Sequence, residues 1–163
     1  MKSDKILLLG NPILHEVSQP ILKGELAEMK PVIQDLHDIL FEFKARFAHY
    51  GAFRGIAAPQ IGVMKRLIYV YIDQPIVFIN PIFTDLSEET FEVWDDCMCF
   101  PNLLVKLRRH VYCSIQYLDL DWQPRTMFFE GSLSELIQHE YDHLDGILST
   151  QRAIDKNSFR WRI

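Results

Sequence analysis

At 163 residues the chain has the length of one domain, and its 48% hydrophobic share is enough to bury a core without staples. Charged residues make up 24%, and 17 Lys and Arg against 22 Asp and Glu leave a net charge of -5. That balance excludes a broad nucleic-acid footprint, which needs a basic surface to neutralise phosphates; the stretch Lys106, Arg108, Arg109, His110 is too short to supply one.

The opening Met1-Lys2-Ser3-Asp4-Lys5 precedes an apolar run, Ile6 to Leu9. That run is too short for the hydrophobic part of a secretion signal, and no run is long enough to span a bilayer. A cytoplasmic location without a membrane partner is therefore expected. In that reducing compartment Cys97, Cys99 and Cys113 form no disulfide framework, so each thiol is core filler, ligand or nucleophile.

Residues 10–30 read as irregular, punctuated by Gly10, Pro12, Pro20 and Gly24, with Pro31 just beyond. Residues 32–49 read as a helix, because Val32, Ile33, Leu36, Ile39, Leu40, Phe43 and Phe47 recur at three- and four-residue steps, and Gly51 is a plausible stop. The small residues of Gly55-Ile56-Ala57-Ala58-Pro59-Gln60-Ile61-Gly62 allow close backbone approach. Strand-like runs follow at Leu67–Ile72, Ile76–Asn80, Thr90–Trp94, Leu103–Leu107, Val111–Leu118 and Thr126–Phe129. The turn composition of Asp119–Pro124 joins the last two into a hairpin. A second helix is expected from about Gly131, with Ser132 and Glu135 as a capping box and Gly146 as its stop. The pattern is an α+β fold: one domain over residues 1–163, with short mixed or antiparallel sheets packed around the second helix.

That helix carries His139-Glu140-Tyr141-Asp142-His143. Residues four apart on a helix are rotated by about 400° and rise about 6 Å, so both imidazoles share one face and can grip one metal ion. Glu140 lies about 100° round from His139. It is near enough to reach water beside the ion, where a general base is needed. The plain alternative is a solvated helix face bearing two histidines. A catalytic site also needs a third protein ligand and an open position. After His143 the chain offers Asp145 and Asp155 but no Glu or His; upstream lies Cys97, whose thiolate suits a soft or borderline ion.

Three separated motifs then resemble those of the peptide deformylase family. Gly55-Ile56-Ala57-Ala58-Pro59-Gln60 is similar to its first motif. Cys97 sits where the family has Glu-Gly-Cys-Leu-Ser, and Gln138 to Gly146 matches the third motif closely. Leu9-Gly10-Asn11-Pro12-Ile13-Leu14 is similar to the family's N-terminus. The resemblance implies that Cys97, His139 and His143 bind a divalent metal, Fe²⁺ in many members, with Zn²⁺, Ni²⁺ or Co²⁺ as substitutes. It implies that Glu140 moves the proton, that Gln60 and the Met98 backbone N–H hold the oxyanion, and that Gly55 bonds the substrate backbone. The implied reaction removes formyl from the N-terminal formyl-methionine of a nascent polypeptide, with the ribosome a further candidate partner.

Four positions depart from the family pattern. Phe53 stands where the first motif has a Gly, Asp95-Asp96 replaces Glu-Gly, Cys99 replaces Ser, and Leu104 stands where many members carry Arg. Asp96 faces the region where the family's Gly backbone binds substrate, so its charge could alter which peptides enter. Asp95 could keep the Glu's pairing, with Arg109 its candidate partner. Cys99, two residues from Cys97, would share its face on a strand and reads first as a buried hydrophobe. These departures leave two alternatives open: a deacylase acting on another small acylated amine, and a non-catalytic module that binds peptide or metal. His15, His37, His49 and His110 have no partner spacing, and Cys113 reads as core.

Overall fold

A computed structural model describes residues 1–162. Helix α1, Leu26–Arg46, starts six residues earlier than its periodicity predicts and ends before a short 3-10 turn, Ala48–Tyr50. Leu26 and the buried Met29 extend the apolar stripe of Leu36, Ile39, Leu40 and Phe43 one turn back. Pro31 is tolerated inside the helix because the hydrogen bond it forfeits belongs to the carbonyl of Ala27, an exposed residue in the first turn.

The strands are β1 (Gly55–Ala57), β2 (Leu67–Tyr71), β3 (Pro75–Leu86), β4 (Thr90–Asp95), β5 (Leu103–His110), β6 (Tyr112–Leu118), β7 (Pro124–Glu130) and β8 (Phe159–Trp161). They form two antiparallel sheets, one ordered β1-β2-β3-β6-β7 and one ordered β4-β5-β8. The run expected to end at Asn80 continues as β3, because Asn80 takes a positive φ of 49° and the register shifts there without ending the strand. Its side chain accepts from the Ile21 N–H at 2.8 Å and donates to the Ile21 carbonyl at 2.9 Å, supplying partners where the ladder slips. The predicted hairpin joins β6 to β7, its turn tied by Asp119 Oδ1 to the backbone N–H groups of Asp121 and Gln123.

Strand alternation sets up two cores. On β2, Leu67 and Tyr69 pack on the α1 side, while Ile68 and Val70 pack on the opposite side. That opposite side is covered by helix α2, Ser132–Leu144, through Ile137 and Leu144. Because α2 also touches β5 of the smaller sheet, it is enclosed between the two sheets, and the face bearing both histidines is buried. No described helix is long and apolar enough to cross a membrane.

Candidate metal centre

Gly131 caps α2 with φ of 61°, and its carbonyl accepts from Glu135 N–H at 3.1 Å. The predicted capping box is absent: Ser132 is already the first helical residue, and Glu135 turns its side chain into a cleft instead. The helix stops as expected, with Gly146 at φ 71°. Only Gly fits there, since a Cβ would lie 2.5 Å from the His15 carbonyl carbon.

Cys97 follows β4 in a turn, not a strand, closed by Phe100 N–H on the Cys97 carbonyl at 3.1 Å. Cys99 therefore shares no strand face with Cys97; it is buried, and its N–H donates to Cys97 Sγ at 3.4 Å. This turn places Cys97 Sγ 3.4 Å from His143 Nε2, which lies 3.2 Å from His139 Nε2. The three donor atoms fall within 4.8 Å of one another. A tetrahedral ion with ordinary bond lengths separates its nitrogen ligands by about 3.4 Å and sulfur from nitrogen by about 3.6 Å. The spacing therefore fits one shared ion.

The electrostatics point the same way. Burial pushes the Cys97 thiol well above its ordinary value, with Cys99 adding to the effect, so a thiolate here needs a cation beside it. Burial, followed by the charge of His139, holds His143 well below 6.5, which makes it the neutral imidazole that ligation requires. Burial also opposes charge on His139, but Asp95 outweighs it and pushes His139 up to about 10. An ion held by His139 would have to displace that proton.

Asp95 orients the ring: its Oδ2 lies 2.9 Å from His139 Nδ1 and accepts from Arg109 Nη2 at 2.8 Å. Arg109 also donates to Asp142 at 2.7 Å, and Asp142 accepts from Arg152 Nε at 2.6 Å. The expected Asp95–Arg109 pair is thus present within a longer chain of charges, buried through Asp142 and ending at the exposed Arg152.

A cleft of about 310 Å³ opens over this centre, lined by Gly55, Gln60, Asp96, Met98, His139 and Glu140 among others. Gln60 is fixed by the Ala57 N–H, which donates to its Oε1 at 2.8 Å. Its Nε2 is thereby turned toward the sulfurs, 3.8 Å from Cys97 and 3.6 Å from Cys99. Glu140 is buried, and its Oε2 has no hydrogen-bond partner among the described residues. Burial pushes it up to about 7, although His139 opposes the shift. Gly55 sits on β1, the edge of its sheet, and a Cβ there would press on Glu140 Cγ at 3.2 Å. Asp96 does not present a free charge, because Arg162 pairs with it.

Sequence reasoning missed four features. The capping-box spacing reads Glu135 as a cap residue, although it lies four residues before His139 and hence on the same helix face. Phe53 adopts φ of 68°, a conformation that the Gly of the first motif would have signalled. Arg152, which pairs with Asp142, and Arg162, which lines the cleft, are brought in only by tertiary folding, and neither has a local motif.

A family model described as Polypeptide deformylase matches residues 3–159. Peptide deformylase 2 of Gloeobacter violaceus is 39% identical over 151 residues, covering 89% of this chain and 76% of the relative. Peptide deformylase 1 of Prochlorococcus marinus is 33% identical over 171 residues, covering 98% and 85%. The crystal structure of the peptide deformylase from Thermotoga maritima matches with a TM-score of 0.81 at 26% identity, covering 92% of this chain and 97% of that one.

Proposed function

The chain belongs to the polypeptide deformylase family, and from that premise we propose that Cys97, His139 and His143 hold one divalent metal ion for removing formyl from N-formylated nascent polypeptides. The reaction class is hydrolysis of a linear amide. The observation that carries the reading is the unpartnered, buried Oε2 of Glu140 beside three converging ligand atoms. A buried carboxylate oxygen left without a donor costs stability, and a proton-transfer role gives it a reason to exist.

Bound there, the ion would polarise the formyl carbonyl and acidify water. The remaining work falls to this chain's own groups. Glu140 takes a proton from water and returns it to the departing amine. Gln60 Nε2, with its amide orientation locked by Ala57, donates to the oxygen that gains charge, and the Met98 N–H is the second donor. The free edge of β1 at Gly55 offers backbone groups to an extended peptide. The family resemblance makes Fe²⁺ the proposed native ion; thiolate and imidazole suit Fe²⁺ and Zn²⁺ alike. The nascent chain at the ribosome is the proposed setting.

The test is metal content of anaerobically purified protein together with turnover of a formyl-Met peptide. About one equivalent of metal with turnover supports the reading. A protein that neither retains metal nor deformylates after loading with Fe²⁺ overturns it.

A further inference from the structure

β8 pairs with β5, and the residue that follows it, Arg162, reaches back to the cleft. The Arg162 N–H donates to the Asn102 carbonyl at 2.7 Å. Its guanidinium binds Asp96 through Nη1, donates from Nη2 to the Tyr50 carbonyl at 3.2 Å, and lies over the Tyr50 ring 4.3 Å from its centroid. The Tyr50 hydroxyl donates in turn to Asn102 Oδ1 at 2.7 Å. One residue thus ties together the loop before β1 and the segment ahead of Cys97 through its side chain, and the approach to β5 through its backbone N–H.

Asp96 directly precedes Cys97 and lines the cleft. A carboxylate there poses two problems. Its bulk competes with a peptide for the cleft, and its charge, beside Glu135 and Glu140 in the same lining, repels carboxylates that a peptide brings. Among the described residues, Arg162 is the only cation in salt-bridge contact with it. The two side chains are 17% and 26% exposed, so water screens the pair only in part.

We propose that Arg162 is a positioning residue of this site: it draws the Asp96 carboxylate against the cleft wall, clear of the formylated peptide, and thereby sets peptide affinity. The inference rests on the deformylase reading and adds a residue remote in sequence from all three motifs.

A double-mutant cycle on the metal-loaded protein tests it. Arg162→Ala should raise KM for a formyl-Met peptide about tenfold while kcat stays within about twofold. Arg162→Lys, which keeps the charge but loses the fork and the stacking, should fall between. In an Asp96→Gly background, Arg162→Ala should change KM by less than about twofold, because the carboxylate it restrains is gone. No effect in the parent overturns the proposal. So does an equal penalty in both backgrounds, which would mark Arg162 as a structural strap. If the parent turns over no formyl peptide, the deformylase reading fails instead. The same cycle is then read from formyl-Met peptide affinity by calorimetry, where an equal loss or no loss overturns this inference.

Discussion

Asp95 Oδ2 stands 2.9 Å from His139 Nδ1, leaving His139 Nε2 free to face Cys97 and His143. The carboxylate fixes both the tautomer and the tilt of the ring, and Arg109 fixes the carboxylate. Asp95→Asn keeps an oxygen for the ring N–H but loses the charge. Metal affinity should fall about 10- to 100-fold. Competition with a chromogenic chelator measures this, and unchanged affinity would remove Asp95 from the ligand's support.

The same pair predicts how stability follows pH. Burial raises Asp95, but His139 and Arg109 outweigh it and hold the carboxyl at about 2. A depressed carboxylate stabilises the fold above its unfolded value of about 3.9, and the gain is lost as pH falls through about 2. The metal-free His139 is raised to about 10, so its contribution is full below about 6.5 and is lost as pH climbs toward 10. Metal-free protein should therefore draw most from this pair between about pH 4 and 6.5. Urea midpoints across pH 3 to 9 should show a basic decline that Asp95→Asn flattens and bound metal suppresses.

Glu140→Gln should cost about 10²- to 10⁴-fold in kcat and leave metal content unchanged. Burial holds Glu140 near 7 without the ion, and a bound cation lowers it, so kcat/KM should climb with pH and level off at or below neutrality. A profile that falls from pH 5 to 7 would exclude Glu140 as the base.

How much of this was legible in the sequence depended on how local each signal was. The His-Glu-x-x-His spacing fixes a helical face by rotation per residue alone, so the two imidazoles converge wherever α2 lands. The third donor has no such rule. Cys97 sits 46 residues from His143, and only the turn after β4 brings its sulfur in. Element types were readable from apolar period, but ends were not. α1 extends past Pro31 because an exposed first turn loses one hydrogen bond cheaply, and β3 survives Asn80 because the side chain replaces ladder partners. Ion pairs such as Asp142–Arg152 and Asp96–Arg162 leave no periodic trace.

Phe53 sets up an unusual order of mutant stabilities. Its φ of 68° is costly for a residue with a Cβ, yet the ring is buried edge-on to Phe43 at 5.7 Å and Phe47 at 5.8 Å. Packing therefore outweighs strain in the parent. Phe53→Ala loses the packing and keeps the strain, whereas Phe53→Gly loses the packing and relieves it. Both should destabilise, with Ala the worse by about 1 kcal/mol, the reverse of the usual order. Thermal or urea unfolding decides, and a more stable Ala variant would mean that the strain is not there.

Gly55 isolates positioning of the base from stability. A methyl at this position would meet Glu140 Cγ and Leu136 Cδ1 at 3.2 Å and Glu140 Oε1 at 3.3 Å. All three are side-chain atoms, so a shift of a few tenths of an ångström relieves the contact and the fold loses about 1 kcal/mol or less. The displaced atoms include the carboxylate proposed to face the water, and small misplacements of reacting groups cost up to about 10²-fold. Gly55→Ala should therefore lower kcat far more than it lowers the unfolding midpoint. Full activity in this variant would mean that Glu140 has room to spare, contrary to the close fit between β1 and α2.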